Sequence, residues 1–299
     1  MSWYYRSGEL ARGPWDVVVD PADVPGWRHT GLRVAKVHPS SPVHLAPDTS
    51  ERLIFILEGD EVTVSYTLHG KFSLTEKKLR GRTSVFDGPT DSLYLPIETE
   101  ITINGEARIA ITEAPARAHK DPALIAREDV PVLLRGAGEM SRQVHNMGMP
   151  EILNADRLIV VEVIVPAGNW SGAPAHKHDT YIPGQESNLE EIYFFHTEPT
   201  REVESPTEPF GIFRGYASDN RPFEITQEVH SGDVVLVPHG WHGPVAAGPG
   251  YDLYFCNVMA GPDPVREWNV TDQPSQLWMR EAWKDMDVDR RLPYKKNRW

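Results

Sequence analysis

Three histidines and an acidic strand in the second half of the chain have the types and spacing of a metal site. His176 and His178 stand two apart in Gly172-Ala173-Pro174-Ala175-His176-Lys177-His178-Asp179. Side chains two apart on a strand share a face, so both imidazoles converge while Lys177 faces away. The acidic strand Glu190-Glu191-Ile192-Tyr193-Phe194-Phe195 follows closely. Gly232-Asp233 and Pro238 then frame a strand, and the turn His239-Gly240-Trp241 delivers His242. Three histidines and one carboxylate suit one divalent metal ion: Mn, Zn, Fe or Ni. Glu190 and Glu191 point to opposite faces of a strand, so only one can join the set. Both faces of that strand are apolar, and periodicity does not choose between them.

The elements that must hold these residues read as β-strands. Proline and glycine, 26 and 23, are spread throughout. Short runs rich in Val, Ile, Tyr and Phe recur between them, and helical periodicity is scarce, which favours sandwiches or barrels. In the first half strands are expected near 32–38, 52–57, 61–68, 92–95, 99–103 and 107–112. In the second half they are expected near 158–165, 191–195, 210–216, 223–229, 233–237 and 252–258. The reading divides the chain into a first barrel over 1–120, a connector over 121–146 and a metal-binding barrel with its tail over 147–299. The tail carries Trp268, Trp278 and Trp283, with a short helix expected from Trp278 to Lys284.

The halves read as weak copies of each other. Glu51-Arg52-Leu53-Ile54-Phe55 answers Glu190-Glu191-Ile192-Tyr193-Phe194, and the strand between Gly88 and Pro96 answers that between Gly232 and Pro238. The first half lacks the histidine set. His38 and His44 are six apart, and Pro96-Ile97-Glu98-Thr99-Glu100 has no histidine. The first barrel is therefore expected to bind no metal and to serve packing and assembly.

Composition narrows the class. The chain has 299 residues, is 40% hydrophobic and carries a net charge of −13. Such an acidic chain repels polyphosphate, which argues against nucleic-acid binding. Arg290, Arg291, Lys295, Lys296 and Arg298 read as a solvated basic tail. The single cysteine, Cys256, lies in an apolar run and reads as core, and the lack of any possible intrachain disulfide fits a reducing compartment. Residues 1–13 contain no apolar signal segment, and no apolar stretch approaches the ~18 residues of a membrane span. A cytoplasmic location, no membrane partner and a symmetric homo-oligomer are the expectations.

The motif residues resemble a known family. The G-x-x-x-H-x-H segment, the acidic strand and the later glycine-to-histidine segment look like the two halves of a cupin motif. More narrowly, the sequence resembles the 5-deoxy-glucuronate isomerase (IolB-type) family of bicupins from myo-inositol catabolism. The close matches are Gly168-Asn169-Trp170-Ser171, 174–179, Leu189-Glu190-Glu191-Ile192-Tyr193, 235–238, Tyr251-Asp252-Leu253-Tyr254 and 257–262. They cover roughly residues 150–268; the first half matches more loosely, at 84–88 and 93–96. A departure is Pro238-His239-Gly240-Trp241-His242, where the family usually has Arg and Tyr flanking the glycine.

The resemblance implies an all-β bicupin: two double-stranded β-helix (jelly-roll) barrels in tandem, the first degenerate, with a short helical, Trp-rich tail. It implies a metal held by His176, His178, Glu191 and His242, the related uronate isomerases favouring Glu191 over Glu190. It further implies an aldose–ketose isomerase that converts 5-deoxy-D-glucuronate to 5-dehydro-2-deoxy-D-gluconate. Such a reaction needs a base at C2. Glu162, Glu190, His239, Tyr254 and Asp252 are the candidates. Arg214 is the candidate cation for the substrate carboxylate, and Tyr193 a candidate hydrogen-bond partner of the substrate. His145, His196 and His230 read as packing or surface residues. The rival readings are an isomerase of another keto-uronate, a cupin oxygenase, a non-catalytic sugar-acid-binding barrel and a structural zinc site.

Overall fold

A computed structural model describes residues 2–203, 207–219 and 221–294; Lys295, Lys296 and Arg298 of the expected basic tail lie outside them. The first half forms an eight-stranded antiparallel sheet. Its path runs Val17–Val19, Gly31–Val37, Glu100–Pro115, Ser50–Thr67, Ser92–Leu95 and Ala123–Ile125, with Val43–Leu45 and Thr75–Arg82 paired alongside. Two pairs of expected strands are each one long bent strand here. The register slips between Ile56 and Glu58 and again between Gly59 and Val62. Gly59, at φ +128°, sits where a Cβ would come within 2.6 Å of the Ala107 Cβ. The irregular register bends one continuous strand where two were expected.

The second half contributes two facing sheets. A seven-stranded sheet runs Tyr4–Tyr5, Val234–Val237, Glu190–Pro199, Tyr251–Ala260, Ile159–Val165, Arg142–His145 and Val132–Arg135. A six-stranded sheet runs Arg221–Val229, Gly211–Ser218, Trp241–Ala247, His176–Lys177 and Thr271–Asp272, with Trp170–Ser171 paired to Trp241–Ala247. The segment read as a connector is thus built into both halves: Ala123–Ile125 pairs with Ser92–Leu95, and 132–145 forms a hairpin on the second sheet. The first residues of the chain also cross over, with Tyr4 opposite Val235. The expected helix is Trp278–Ala282, followed by a 3-10 turn at Trp283–Asp285. No helix among the described residues is long and apolar enough to cross a membrane.

Three apolar clusters explain why the strands read as continuous hydrophobic runs. One fills the first barrel with Ile54, Ile56, Val64, Ile103, Ile109 and Ile111. Another fills the second with Val161, Val163, Tyr193, Phe195, Phe213 and Phe255. The third is the seam between them, where Leu53, Phe55 and Ala110 meet Val160, Ile192, Phe194, Tyr254 and Cys256. Strands at the seam are buried on both faces, so hydrophobic alternation is lost. Cys256 is 1% exposed, and burial pushes its thiol well above the ordinary range.

Charged groups lock the seam. Glu51 accepts the backbone N–H groups of Asp156, Arg157 and Leu158 at 2.5–2.7 Å, and the Tyr94 hydroxyl at 2.6 Å. Reciprocally, Glu190 accepts N–H groups from Arg28 and His29 at 2.7–3.0 Å. Each glutamate grips the loop that precedes a strand of the other half. Between them Glu162 receives Arg82 in a two-pronged ion pair, the Tyr254 hydroxyl at 2.6 Å and His145 at 3.2 Å.

Candidate metal centre and its cavity

Two sheets meet at the histidines. His176 lies directly opposite His242 in the antiparallel ladder of the six-stranded sheet, so their side chains share the barrel-facing side. His178 joins them two residues on. Ring centroids are 4.4 Å apart for His176 and His242, 4.7 Å for His178 and His242, and 6.0 Å for His176 and His178. One nitrogen from each of the three lies within 4.8 Å of the others. Glu191 reaches in from the facing seven-stranded sheet, 3.0 Å from His178 Nε2 and 3.1 Å from His242 Nε2.

The backbone aims these rings. His178 Nδ1 donates to the Leu189 carbonyl at 3.2 Å, and His242 Nδ1 donates to the Gly240 carbonyl at 3.1 Å. Fixing the proton on Nδ1 turns each Nε2 toward the cluster as a lone-pair donor. His242 Nε2 is buried with no hydrogen bond of adequate geometry. Such an orphan is costly unless something else satisfies it. The donor set fits a borderline divalent cation.

Electrostatics agree. Burial opposes the charge on Glu191, but hydrogen bonds and charge from His178 and His242 hold the carboxyl well below the usual range. Burial, with His242 and His178 beside it, pushes His176 far down. An ionised Glu191 with a neutral His176 suits a metal. At His178 the bond and charge of Glu191 outweigh burial and raise the imidazole above its ordinary value, so an ion binding there would displace its proton. Asp179 braces the turn, accepting the Gly240 N–H at 2.9 Å, the Ser218 hydroxyl and the Lys177 ammonium at 2.9 Å. Lys177 indeed faces away from the cluster, toward Asp179 and Glu186.

The cluster opens into a cavity of about 230 Å³. His176, His242, Glu191 and Tyr193 line it, and so do Arg135, Arg142 and Arg280. Tyr193 is buried near Glu191; burial and the Glu191 charge push its phenol well above the usual range.

Several residues named from sequence stand elsewhere. Glu190 lies on the seam face, held by Arg28 and His29, and not in the cavity. Glu162 and Tyr254 share the seam cluster with Arg82. Asp252 holds the Ala167 N–H and the Tyr294 hydroxyl. His239 donates from Nε2 to the Pro222 carbonyl at 3.3 Å, its ring against Phe223. Arg214 is exposed and lies over the Tyr216 ring at 4.5 Å, so it is not the cavity's cation. The arginines that do line the wall were missed because Arg135 and Arg142 fell in the presumed connector. Neither Val132–Arg135 nor Arg142–His145 alternates apolar with polar residues, so no local signal marked them as wall strands.

The first half carries an instructive substitution. Leu53 and Phe55 face the seam as Ile192 and Phe194 do, and Ile54 faces its barrel interior as Tyr193 does. In that register Arg52 occupies the position of Glu191. It is 1% exposed and paired with Glu113 at 2.7 Å. A guanidinium where a carboxylate ligand would stand agrees with the expectation of no metal in this barrel.

Comparison with known proteins places the chain. Residues 3–279 match the KduI/IolB family. A protein named 5-deoxy-glucuronate isomerase from Geobacillus thermodenitrificans is 34% identical over 285 residues, covering 94% of this chain and 97% of that one. Its namesake from Geobacillus kaustophilus is 36% identical over 269 residues, covering 89% and 91%. Among solved structures, an IolB-like protein from Salmonella typhimurium LT2 superposes with a TM-score of 0.81 at 32% identity, covering 94% of this chain and all of that one. An oxalate decarboxylase from Lactobacillus farciminis, at 10% identity and a TM-score of 0.60 over 90% of each chain, shares the fold alone. The all-β bicupin expectation is met.

Proposed function

From the premise that this chain belongs to the KduI/IolB family, we propose that it is a metal-dependent aldose–ketose isomerase acting on 5-deoxy-D-glucuronate and yielding 5-dehydro-2-deoxy-D-gluconate, a step of inositol catabolism. The observation that carries the reading is the convergence of His176, His178, Glu191 and His242, three of which, His176, Glu191 and His242, line a cavity. These four would hold one divalent ion. The ion, when bound, supplies Lewis-acid stabilisation of negative charge developing on substrate oxygen.

The chain's own groups do the rest. His178 and His242 are pre-aimed by the Leu189 and Gly240 carbonyls, so binding needs no reorganisation of the rings. Tyr193 keeps its proton and therefore serves as a hydrogen-bond donor to a substrate oxygen, not as the base. Apolar side chains such as Val163, Val245 and Phe255 also line the cavity and disfavour water against them. An aldose–ketose shift removes a proton from C2 and delivers one to C1 with no net redox change.

The test is NMR of the purified protein with 5-deoxy-glucuronate, with and without a chelator, while oxygen is monitored. Metal-dependent formation of the keto acid without oxygen uptake is expected. Oxygen consumption would point to an oxygenase, and a bound but unchanged sugar acid to a binding barrel.

A further inference from the structure

The cavity is the inverse of the molecule in charge. The chain as a whole carries −13, yet three guanidiniums line this wall, and the only carboxylate among its lining residues is Glu191, already engaged by two imidazoles. A pocket of that sign inside an acidic protein concentrates an anion.

The three arginines are not equivalent. Arg280 is committed to Asp272, with two of its nitrogens on the two carboxylate oxygens. Arg135 is exposed. Arg142 is partly buried, has no ion-pair partner among the described residues, and makes one hydrogen bond, to the Met140 carbonyl at 3.2 Å. Its guanidinium lies over the Trp283 ring at 5.6 Å. Gly136 keeps this corner tight: a Cβ there would come within 2.0 Å of the Met140 carbonyl oxygen and 2.8 Å of Arg142 Nη1. Burial and the neighbouring charges of Arg135 and Arg280 push the guanidinium down to about 10, still cationic at neutral pH. Asp272 acts on it through its charge but is hydrogen-bonded to Arg280, and a desolvated cation with no carboxylate of its own is a costly arrangement unless a ligand supplies the anion.

We propose that Arg142 receives the carboxylate of the substrate, so that the sugar acid spans the cavity with its carbonyl end at the His176/His178/His242 cluster and its acid end at Arg142. This rests on the isomerase reading for the identity of the acid, but the contact itself concerns any sugar acid of that length. A guanidinium fork matches a carboxylate in two-pronged fashion, whereas an ammonium meets it as a point charge. Arg142 therefore sets the preference for an acid over a neutral sugar.

Wild type, Arg142→Gln and Arg142→Lys are to be compared in two measurements. One is turnover of 5-deoxy-glucuronate. The other is calorimetric binding of its borohydride-reduced form, which keeps the carboxylate but cannot isomerise. The expected result for Arg142→Gln is that KM and Kd rise together by about 30-fold or more, with kcat less affected and metal content unchanged. Arg142→Lys recovers part of the loss. Unchanged Kd in Arg142→Gln overturns the proposal, as does a fall confined to kcat. Should Arg142→Gln not fold, Arg142→Lys decides: a several-fold weaker Kd supports the fork, and wild-type affinity overturns it. If wild type binds the reduced acid through Arg142 but turns nothing over, the isomerase reading fails and the carboxylate contact stands. Neither binding nor turnover by wild type overturns both.

Discussion

Glu190 and Glu191, neighbours in the chain, face opposite sides of one buried sheet. Glu191 reaches His178 and His242 inside the second barrel, and Glu190 takes the N–H groups of Arg28 and His29 across the seam. Their substitutions should separate cleanly. Glu191→Ala is expected to lose metal and activity. Glu190→Gln is expected to keep the metal and lose about 1–3 kcal/mol of stability through weakened seam hydrogen bonds. Metal analysis and denaturant unfolding of the two variants check this; full metal retention by Glu191→Ala would remove that residue from the ligand set.

The Arg82–Glu162 pair gives the seam a pH dependence. Burial raises the Glu162 pKa, but the Arg82 charge and the bonds from His145 and Arg82 outweigh it, leaving the carboxyl at about 2 against an ordinary 4.5. A depressed folded-state value stabilises the fold above the unfolded value and is lost as pH falls toward the folded one. Unfolding free energy is therefore expected to drop between pH 4.5 and 2, and more shallowly in a Glu162→Gln variant. At neutral pH, Arg82→Ala should cost about 3–5 kcal/mol by stranding the carboxylate, with metal content intact. Urea unfolding across that pH range is the measurement. Identical slopes for Glu162→Gln and wild type would assign the acid sensitivity to other groups.

The histidine pattern was legible because a two-residue spacing and a glycine-to-histidine turn encode convergence locally. The choice between Glu190 and Glu191 was not legible from periodicity, since Ile192 and Phe194 meet the other barrel while Tyr193 and Phe195 fill their own. The same blindness made Glu162 and Tyr254 look like candidates for the base. They sit on seam faces whose second buried layer comes from the other half of the chain. Arg142 escaped notice for a different reason. Its hairpin follows Pro122 and Pro131, which read as linker, and nothing local tells that Val144 would pair with Val163. The crossing of Tyr4–Tyr5 onto the second barrel is likewise a long-range fact without a short-range signature.

Arg52 offers a test of the duplicated architecture. Its ion pair with Glu113 is buried, at 1% and 6% side-chain exposure, where the other barrel has Glu191. Arg52→Ala removes one of the two guanidiniums on Glu113 and leaves it to Arg33 at 2.8 Å, so a loss of about 1–3 kcal/mol is expected. Because this pair lies outside the cavity, kcat and metal content of the folded fraction should match wild type. Thermal unfolding alongside the metal assay distinguishes this from a role in the reaction, which would reduce activity per folded molecule.

Gly172 and Gly243 stand back to back beside the ligands. A Cβ on Gly243, itself at φ +110°, would come within 2.1 Å of the Gly172 carbonyl oxygen. That oxygen belongs to backbone, so it cannot swing aside. Gly243→Ala must therefore push the Trp241–Ala247 strand away from the segment leading to His176, and His242 moves with it. Backbone strain alone would be a weaker effect, and Gly250 isolates it: its φ is +79°, with nothing within 4 Å of the added carbon. Gly250→Ala is expected to cost about 1–3 kcal/mol and leave metal affinity unchanged. Gly243→Ala should weaken metal binding by about 10-fold or more, the range seen when supporting contacts of metal ligands are disturbed. Competitive chelator titration of both variants decides it. Equal metal affinities would mean that the ligand strands tolerate the displacement.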